Sequence, residues 1–426
     1  MIGIVGGGLS GLCLKYLLKR PSEILEKELR VGGLCRTFRK DGFSYDIGGH
    51  ILYSKDEAAV RFWRSILGSN LARRRRNNKV LFKGRYVKYP FENDLGSLDP
   101  GDAYECLVGY LKNTHPKPVN FREWIYHTFG DGIAEKYLLP YNAKIWKFPL
   151  ERMSVEWVER VPRPPFEDVV KSALGIPTEG YTHQLYFDYP KRGGIESLIA
   201  GLAKGQDGIE TGFDVASIER RGREFIVAGE AGARRYRELV LTMPLDRAVR
   251  CLGRQAPASV VRAASGLGHS AVRIVLVGLK NASLLDKSAI YIPDGKILPH
   301  RVCFMGYFSP NNVPRGKSSL IAEVSTRRGQ GLYRLSAASL TERVVKDLDR
   351  AGIIRKKDVA VTEVQDIEYG YVIYDRDYRR NVERVKSCFR SLGIRLLGRF
   401  GEFEYINMDE VIRRSASLAK ELNRGR

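Results

Sequence analysis

Short apolar runs separated by glycine turns dominate the start of the chain. Met1-Ile2-Gly3-Ile4-Val5 is apolar throughout, the pattern of a strand buried on both faces. Leu12-Cys13-Leu14-Lys15-Tyr16-Leu17-Leu18 then reads as a helix and Glu23-Ile24-Leu25 as a second short strand. Around Asn93 the composition turns helical. Glu123–Phe129 and Ile133–Leu139 have the spacing of short amphipathic helices, interrupted at Gly130 and Pro140. Arg160–Pro165 is a proline-rich linker, and Ile195–Leu202 predicts a helix. Phe225–Val227 and Glu238–Thr242 read as strands returning to the first two. Arg273–Val277, Ala289–Ile292 and Leu320–Val324 predict a second, mostly β lobe. Ser339-Leu340-Thr341-Glu342 has the form of a capping box for a helix through Leu348. Arg395–Gly401 reads as a buried strand running into a glycine turn, and Met408 to about Leu422 as a final helix.

The first turn carries chemistry. Gly6-Gly7-Gly8-Leu9-Ser10-Gly11 fits G-x-G-x-x-G, and Glu26 lies 20 residues after Gly6, with Lys27 beside it. Gly6 makes the tight turn, Gly8 admits a pyrophosphate to the backbone, and Gly11 lets helix and strand pack closely. The helix start offers free N–H groups to phosphates, and Glu26 can accept from a ribose. Strand, turn, helix, strand and acid in that order predict an ADP-containing cofactor.

Bulk properties narrow the class. The chain has 426 residues, 43% hydrophobic and 28% charged, enough for two or three lobes around a large core. It has no run of 18 apolar residues, and a first strand at Ile2 leaves no space for a signal peptide, so a cytoplasmic protein is expected. The six cysteines (Cys13, Cys35, Cys106, Cys251, Cys303, Cys388) lack metal-ligand spacing and read as buried thiols, with no metal site. A net charge of +22 is spread over the whole chain, which disfavours a nucleic-acid partner and suits the steering of anionic substrates. The one block, Arg73-Arg74-Arg75-Arg76, reads as a solvated loop.

Two further glycine pairs sit close to the fingerprint. Gly32-Gly33 precedes Leu34 and Arg36, and Asp46-Ile47-Gly48-Gly49-His50 follows. Glycine pairs let the backbone run against a flat ring, which points to FAD rather than NAD. With these residues in view, the chain resembles the glutathione-reductase-type flavoproteins of the amine oxidase and protoporphyrinogen oxidase class. Within it, the chain most resembles the UDP-galactopyranose mutases. The matching pieces are Phe43–His50, Tyr89-Pro90-Phe91-Glu92-Asn93, Pro140–Trp146, Tyr189–Gly194, Tyr291-Ile292-Pro293 with Arg301, Tyr371, and Gly398-Arg399-Phe400-Gly401 through Tyr405 to Asn407-Met408-Asp409.

The resemblance implies an α/β fold. Its FAD-binding Rossmann domain would be assembled from residues 1–72, 186–245 and 385–426. A helical substrate lobe would cover 73–185, and an antiparallel β-sheet lobe 246–384. It implies FAD held by Gly6, Gly8, Ser10, Gly11, Glu26, Lys27, Gly33, Leu34, Arg36, Gly48, Gly49, Arg399, Asn407 and Met408. It implies a UDP-sugar held by Tyr89, Glu92, Asn142, Trp146, Arg160, Tyr291, Arg301, Tyr371 and Tyr405. Tyr89 would stack on uracil, Arg160 would face the sugar, and Arg301 with the phenols of Tyr371 and Tyr405 would hold the diphosphate. The catalytic set would be Arg160, Arg301, His50 and Gly49, with His50 acting mainly through the backbone beside it and the Gly49 carbonyl facing the flavin. The implied reaction interconverts UDP-galactopyranose and UDP-galactofuranose, with N5 of FAD reduced by NAD(P)H as nucleophile at the anomeric carbon. Glu92 departs from the mutases' glutamine, and Asn407 from the acid of some bacterial mutases. Both bear on nucleotide specificity. Two readings stay open at this stage: an FAD-dependent oxidase or desaturase, and a monomer or a homodimer.

Overall fold

The computed structural model describes residues 1–178, 185–284 and 286–424, with the Arg160 side chain outside the description. Ile2–Val5 lies at the centre of a five-stranded parallel sheet ordered Arg395–Leu396, Glu238–Leu241, Ile2–Val5, Ser22–Glu26, Ile209–Thr211. Ile2 to Val5 are all buried, as the unbroken apolar run predicts. Leu9–Leu17 packs against the last helix, Met408–Arg424, so chain start and chain end share one core. A Cβ on Gly11 would lie 2.1 Å from the Gly6 carbonyl oxygen, so the close helix–strand approach needs glycine there.

The second large sheet has seven strands, ordered Val359–Val372, His269–Leu279, Ser318–Thr326, Arg301–Phe304, Ala289–Tyr291, Asn78–Phe82, Arg85–Lys88. Neighbours run antiparallel except Ala289–Tyr291 with Asn78–Phe82. Its register pairs Tyr291 with Arg301 and Arg301 with Glu323, so these three side chains stand in a row on one face. Helices Pro100–Leu111, Phe121–Ile133, Leu139–Trp146 and Phe166–Ala173 form the lobe alongside.

Several elements differ from expectation. Phe225–Val227 lies outside the parallel sheet: Glu224–Gly229 is the middle strand of a separate three-stranded antiparallel sheet. Its run looks uniformly apolar, but only Phe225 and Val227 are buried, the alternation of a strand with one wet face. Residues 78–88, counted with the helical stretch, form two strands of the seven-stranded sheet. Pro140 does not interrupt a helix; it sits in the first turn of Leu139–Trp146, where its missing N–H costs nothing. The cap of Ala337–Arg350 is Ser336, which accepts from Ser339 N–H, and not Ser339 itself. The Arg73–Arg76 run is no solvated loop: Leu71–Arg75 is a strand paired with Tyr186–Pro190.

Candidate functional site

A cavity of about 1720 Å³ runs from the opening glycine turn to the face of the seven-stranded sheet. At one end, Gly6, Gly8, Ser10 and Glu26 line it. Glu26 is buried, and its carboxylate accepts from Gly7 N–H at 2.7 Å and Glu28 N–H at 2.9 Å, which fixes the turn and leaves lone pairs toward the cavity. Gly8 and Gly33 pack directly against each other at its edge: a Cβ on Gly33 would come to 3.1 Å from the Gly8 Cα. Lys27, Leu34 and Arg36 line the same end, with Arg36 Nε donating to the Gly33 carbonyl at 2.9 Å. Gly11 stands behind the turn and packs against Gly6 rather than lining the cavity.

The middle is backbone and cation. Gly48, Gly49 and His50 line one wall; Arg399, Asn407 and Met408 come from the chain end. Arg399 lies 4.3 Å over the Tyr405 ring and donates to the Gly370 carbonyl at 3.1 Å. Asn407 Nδ2 donates to the Tyr53 hydroxyl at 3.3 Å, and Met408 Sδ is 3.7 Å from Cys35 Sγ. Burial and then the charge of Arg399 lower the His50 imidazole to about 4, and its Nδ1 has no hydrogen-bond partner among the described residues. It is a neutral, weakly basic ring near pH 7, poorly suited to general-base work.

Beyond it lies an aromatic and acidic region. Arg301 is held by two hydrogen bonds, Nε to Glu323 Oε1 at 2.9 Å and Nη2 to Oε2 at 2.8 Å. Glu323 is 1% exposed and also accepts from Gly49 N–H at 3.3 Å, so it ties the sheet to the Gly48–Gly49 wall. Burial pushes this carboxyl up, but Arg301 and then His300 outweigh burial and hold it well below the usual range. Tyr371 and Tyr405 meet edge to face at 5.7 Å, with the Trp146 indole against both. Burial, then Glu323, raises the Tyr371 phenol, which stays protonated and able to donate. Trp146 Nε1 donates to Asn142 Oδ1 at 3.0 Å and Asn142 Nδ2 to the carbonyl of Leu138, the residue before the helix, at 2.8 Å, so both side chains have local partners. Tyr89 stacks on Tyr291 at 4.4 Å and 14°, which covers one of its faces. Glu92 is 2% exposed; burial raises its carboxyl to about 8.

Comparison with known proteins bears on this geometry. Residues 4–66 match the model of the NAD(P)-binding Rossmann-like domain. An all-trans-retinol 13,14-reductase of Danio rerio is 38% identical over 52 residues, 12% of this chain and 9% of that protein. An uncharacterized protein of Methanothermococcus thermolithotrophicus is 44% identical over 54 residues, 12% of this chain and about half (52%) of that protein. Among solved structures, reduced UDP-galactopyranose mutase superposes with a TM-score of 0.91 at 24% identity, covering 99% of this chain and 95% of the mutase. The chain has the fold of UDP-galactopyranose mutase. An Exiguobacterium sp. 255-15 protein provisionally described as a protoporphyrinogen oxidase follows at TM-score 0.78 and 18% identity, covering 100% and 99%. Cyclohexylamine oxidase from Brevibacterium oxydans IH-35A reaches 0.70 at 14% identity, covering 99% of each chain.

On the mutase fold, the expected site residues converge on one cavity, apart from Gly11, which packs behind it, and Arg160, whose side chain lies outside the described residues. Among the lining residues given no site role at the sequence level are Glu323, Arg76 and, within the matched Pro140–Trp146 stretch, Tyr141. Glu323 is a lone acid in the wholly buried strand Ser318–Thr326, and that isolation was a readable signal of a buried partner. Tyr141 meets the Tyr291 ring edge-on at 5.6 Å. Arg76, the last of the basic run, lies 4.9 Å over the Tyr53 ring inside the cavity.

Proposed function

We propose that this chain binds FAD along the glycine end of the cavity and a nucleotide-sugar diphosphate beyond it, and interconverts UDP-galactopyranose and UDP-galactofuranose. The observation that carries the reading is the gathering of Arg301, Tyr371, Tyr405 and Arg399 in one cavity with the Gly48–Gly49 backbone, on the mutase fold. The volume supports two ligands: single small-molecule sites run to about 300–1,000 Å³, and this cavity is about 1720 Å³. The fit to FAD rests on the glycine backbone that lines the cavity at Gly6, Gly8, Gly33, Gly48 and Gly49, and on the acid at Glu26 for the ribose.

When bound and reduced, by NAD(P)H in this reading, the flavin supplies the nucleophilic nitrogen for the sugar's anomeric carbon. The chain's own residues bind and orient. The phenol O–H groups of Tyr371 and Tyr405 donate to phosphate oxygens, which stabilises UDP as it leaves and returns. Glu323 holds the Arg301 guanidinium flat and in one orientation, with its remaining N–H groups for the same diphosphate. Trp146, packed on both tyrosines, limits their movement and that of the departing UDP. Neutral His50 adds no charge beside the reacting centre.

The test is direct. The purified protein is examined for a visible flavin band, reduced with dithionite under nitrogen and given UDP-galactofuranose. Conversion to UDP-galactopyranose by the reduced protein alone supports the reading. Oxygen-dependent turnover of an amine, with no sugar-nucleotide conversion, would put the oxidase reading in its place.

A further inference from the structure

Glu92 occupies an unusual position for an acid. It lies in the turn Phe91–Asn93, packed between the helix Phe166–Ala173 and the strand Arg85–Lys88, and it lines the cavity next to Tyr89 and Tyr137. It is 2% exposed, and its Oε2 has no hydrogen-bond partner among the described residues. The groups facing it are the Tyr89, Tyr110 and Tyr137 phenols and Ser172, whose hydroxyl donates to the Glu92 carbonyl at 2.9 Å. Lys88 of the neighbouring strand directs its ammonium to the Thr178 carbonyl, and Arg76 lies over Tyr53. Glu167, Asp168 and Lys171 of the packing helix make no ion pair with Glu92 among the described residues, and the one group that favours its charged form is its own backbone N–H. A carboxylate buried without a counter-charge is strongly disfavoured, whereas the neutral acid is tolerated.

We propose that Glu92 stands in the cavity as a neutral carboxylic acid and reads the nucleotide's pyrimidine through one O–H donor and one C=O acceptor. The inference rests on the nucleotide-sugar reading above and deepens it. A neutral carboxylic acid matches a base edge that carries one acceptor beside one donor, much as a glutamine amide does. An ionised carboxylate presents two acceptors and repels the acceptor of that edge. The lining supports the placement: Tyr89, stacked on Tyr291, and Glu92 line the same cavity three residues apart in the chain, an aromatic ring beside an acid as a base would meet them. Burial supports the protonation, since it raises the carboxyl to about 8. Base recognition is therefore intact at neutral pH and lost as pH rises through that value.

The test is equilibrium binding of UDP by calorimetry at pH 7 and pH 9, at fixed ionic strength, with the protein and its Glu92→Gln variant. Dividing one dissociation constant by the other cancels the ionisation of UDP itself. The two affinities are expected to be similar at pH 7. The wild-type-to-variant ratio then rises about tenfold by pH 9, as an acid with a pKa near 8 goes from mostly neutral to mostly ionised. Infrared difference spectra should show a protonated-carboxyl C=O band at pH 7 that is absent in Glu92→Gln and in the wild type at pH 9. A constant ratio, or no such band, overturns the role of Glu92 while UDP binding itself still upholds the nucleotide reading. Failure of both proteins to bind UDP at pH 7 overturns the nucleotide reading and this inference together.

Discussion

Replacing Glu323 by glutamine leaves the partly buried Arg301 without its counter-charge and only one side-chain acceptor to share between Arg301 and the Gly49 N–H. Glu323→Gln is expected to cost about 3–5 kcal/mol of stability, the usual penalty for breaking a buried pair, read from urea unfolding at pH 7. The pH dependence has a sign. A carboxyl held low in the fold contributes stability that is present above its ordinary value of 4.5 and is lost as pH falls toward the folded value. The gap between wild type and variant therefore narrows below pH 4.5. Asp46 works the other way. Burial outweighs the hydrogen bonds from Thr37 and Tyr189 and raises it from 3.8 to about 6, so its contribution is complete below 3.8 and lost as pH rises through 6. Tyr371→Phe and Tyr405→Phe each remove one donor to a charged oxygen, worth about 1.5–3 kcal/mol, or roughly 10–100-fold in KM for the UDP-sugar. Flavin content should not change in either.

At the scale of elements, what was legible followed from period and punctuation. The unbroken run Ile2–Val5, the glycine turn and the acid at Glu26 read directly as a buried strand and a dinucleotide turn, because all of that information is local. The final helix from Met408 was also readable from its periodicity. The row Tyr291–Arg301–Glu323 was not, since it exists only through the register of three strands from distant stretches of chain. The same holds for Arg76: four consecutive arginines look solvated, yet pairing with Tyr186–Pro190 carries the last one into the cavity. Protonation of Glu92 depends on burial by the Phe166–Ala173 helix, about 75 residues later in the chain, and no neighbour in sequence announces it. One loop gives an element-scale prediction. Gly398 has φ +90°, and a Cβ there would lie 2.0 Å from Ser10 Oγ, where the closing loop meets the glycine turn. Gly398→Ala should lower flavin retained per mole of protein, measured by visible absorbance. Gly295→Ala, which meets nothing within 4 Å and needs no left-handed backbone, should leave it unchanged.

Across the whole molecule, two sheets of opposite character face one cavity, the parallel one with the dinucleotide fingerprint and the antiparallel one with Arg301 and Tyr371. No helix among the described residues is long and apolar enough to cross a membrane. The net charge of +22 surrounds a site read as taking an anionic ligand, so UDP association should slow as salt rises from low to physiological ionic strength, measured by stopped-flow. The central claim is that a reduced flavin in this cavity isomerises a nucleotide-sugar without net redox. It is tested most directly by giving UDP-galactofuranose to flavin-loaded protein reduced once, under nitrogen, and separating products by chromatography. The account predicts many turnovers to UDP-galactopyranose from that single reduction, and none from the oxidised protein. Flavin-loaded, reduced protein that leaves UDP-galactofuranose unchanged would contradict it.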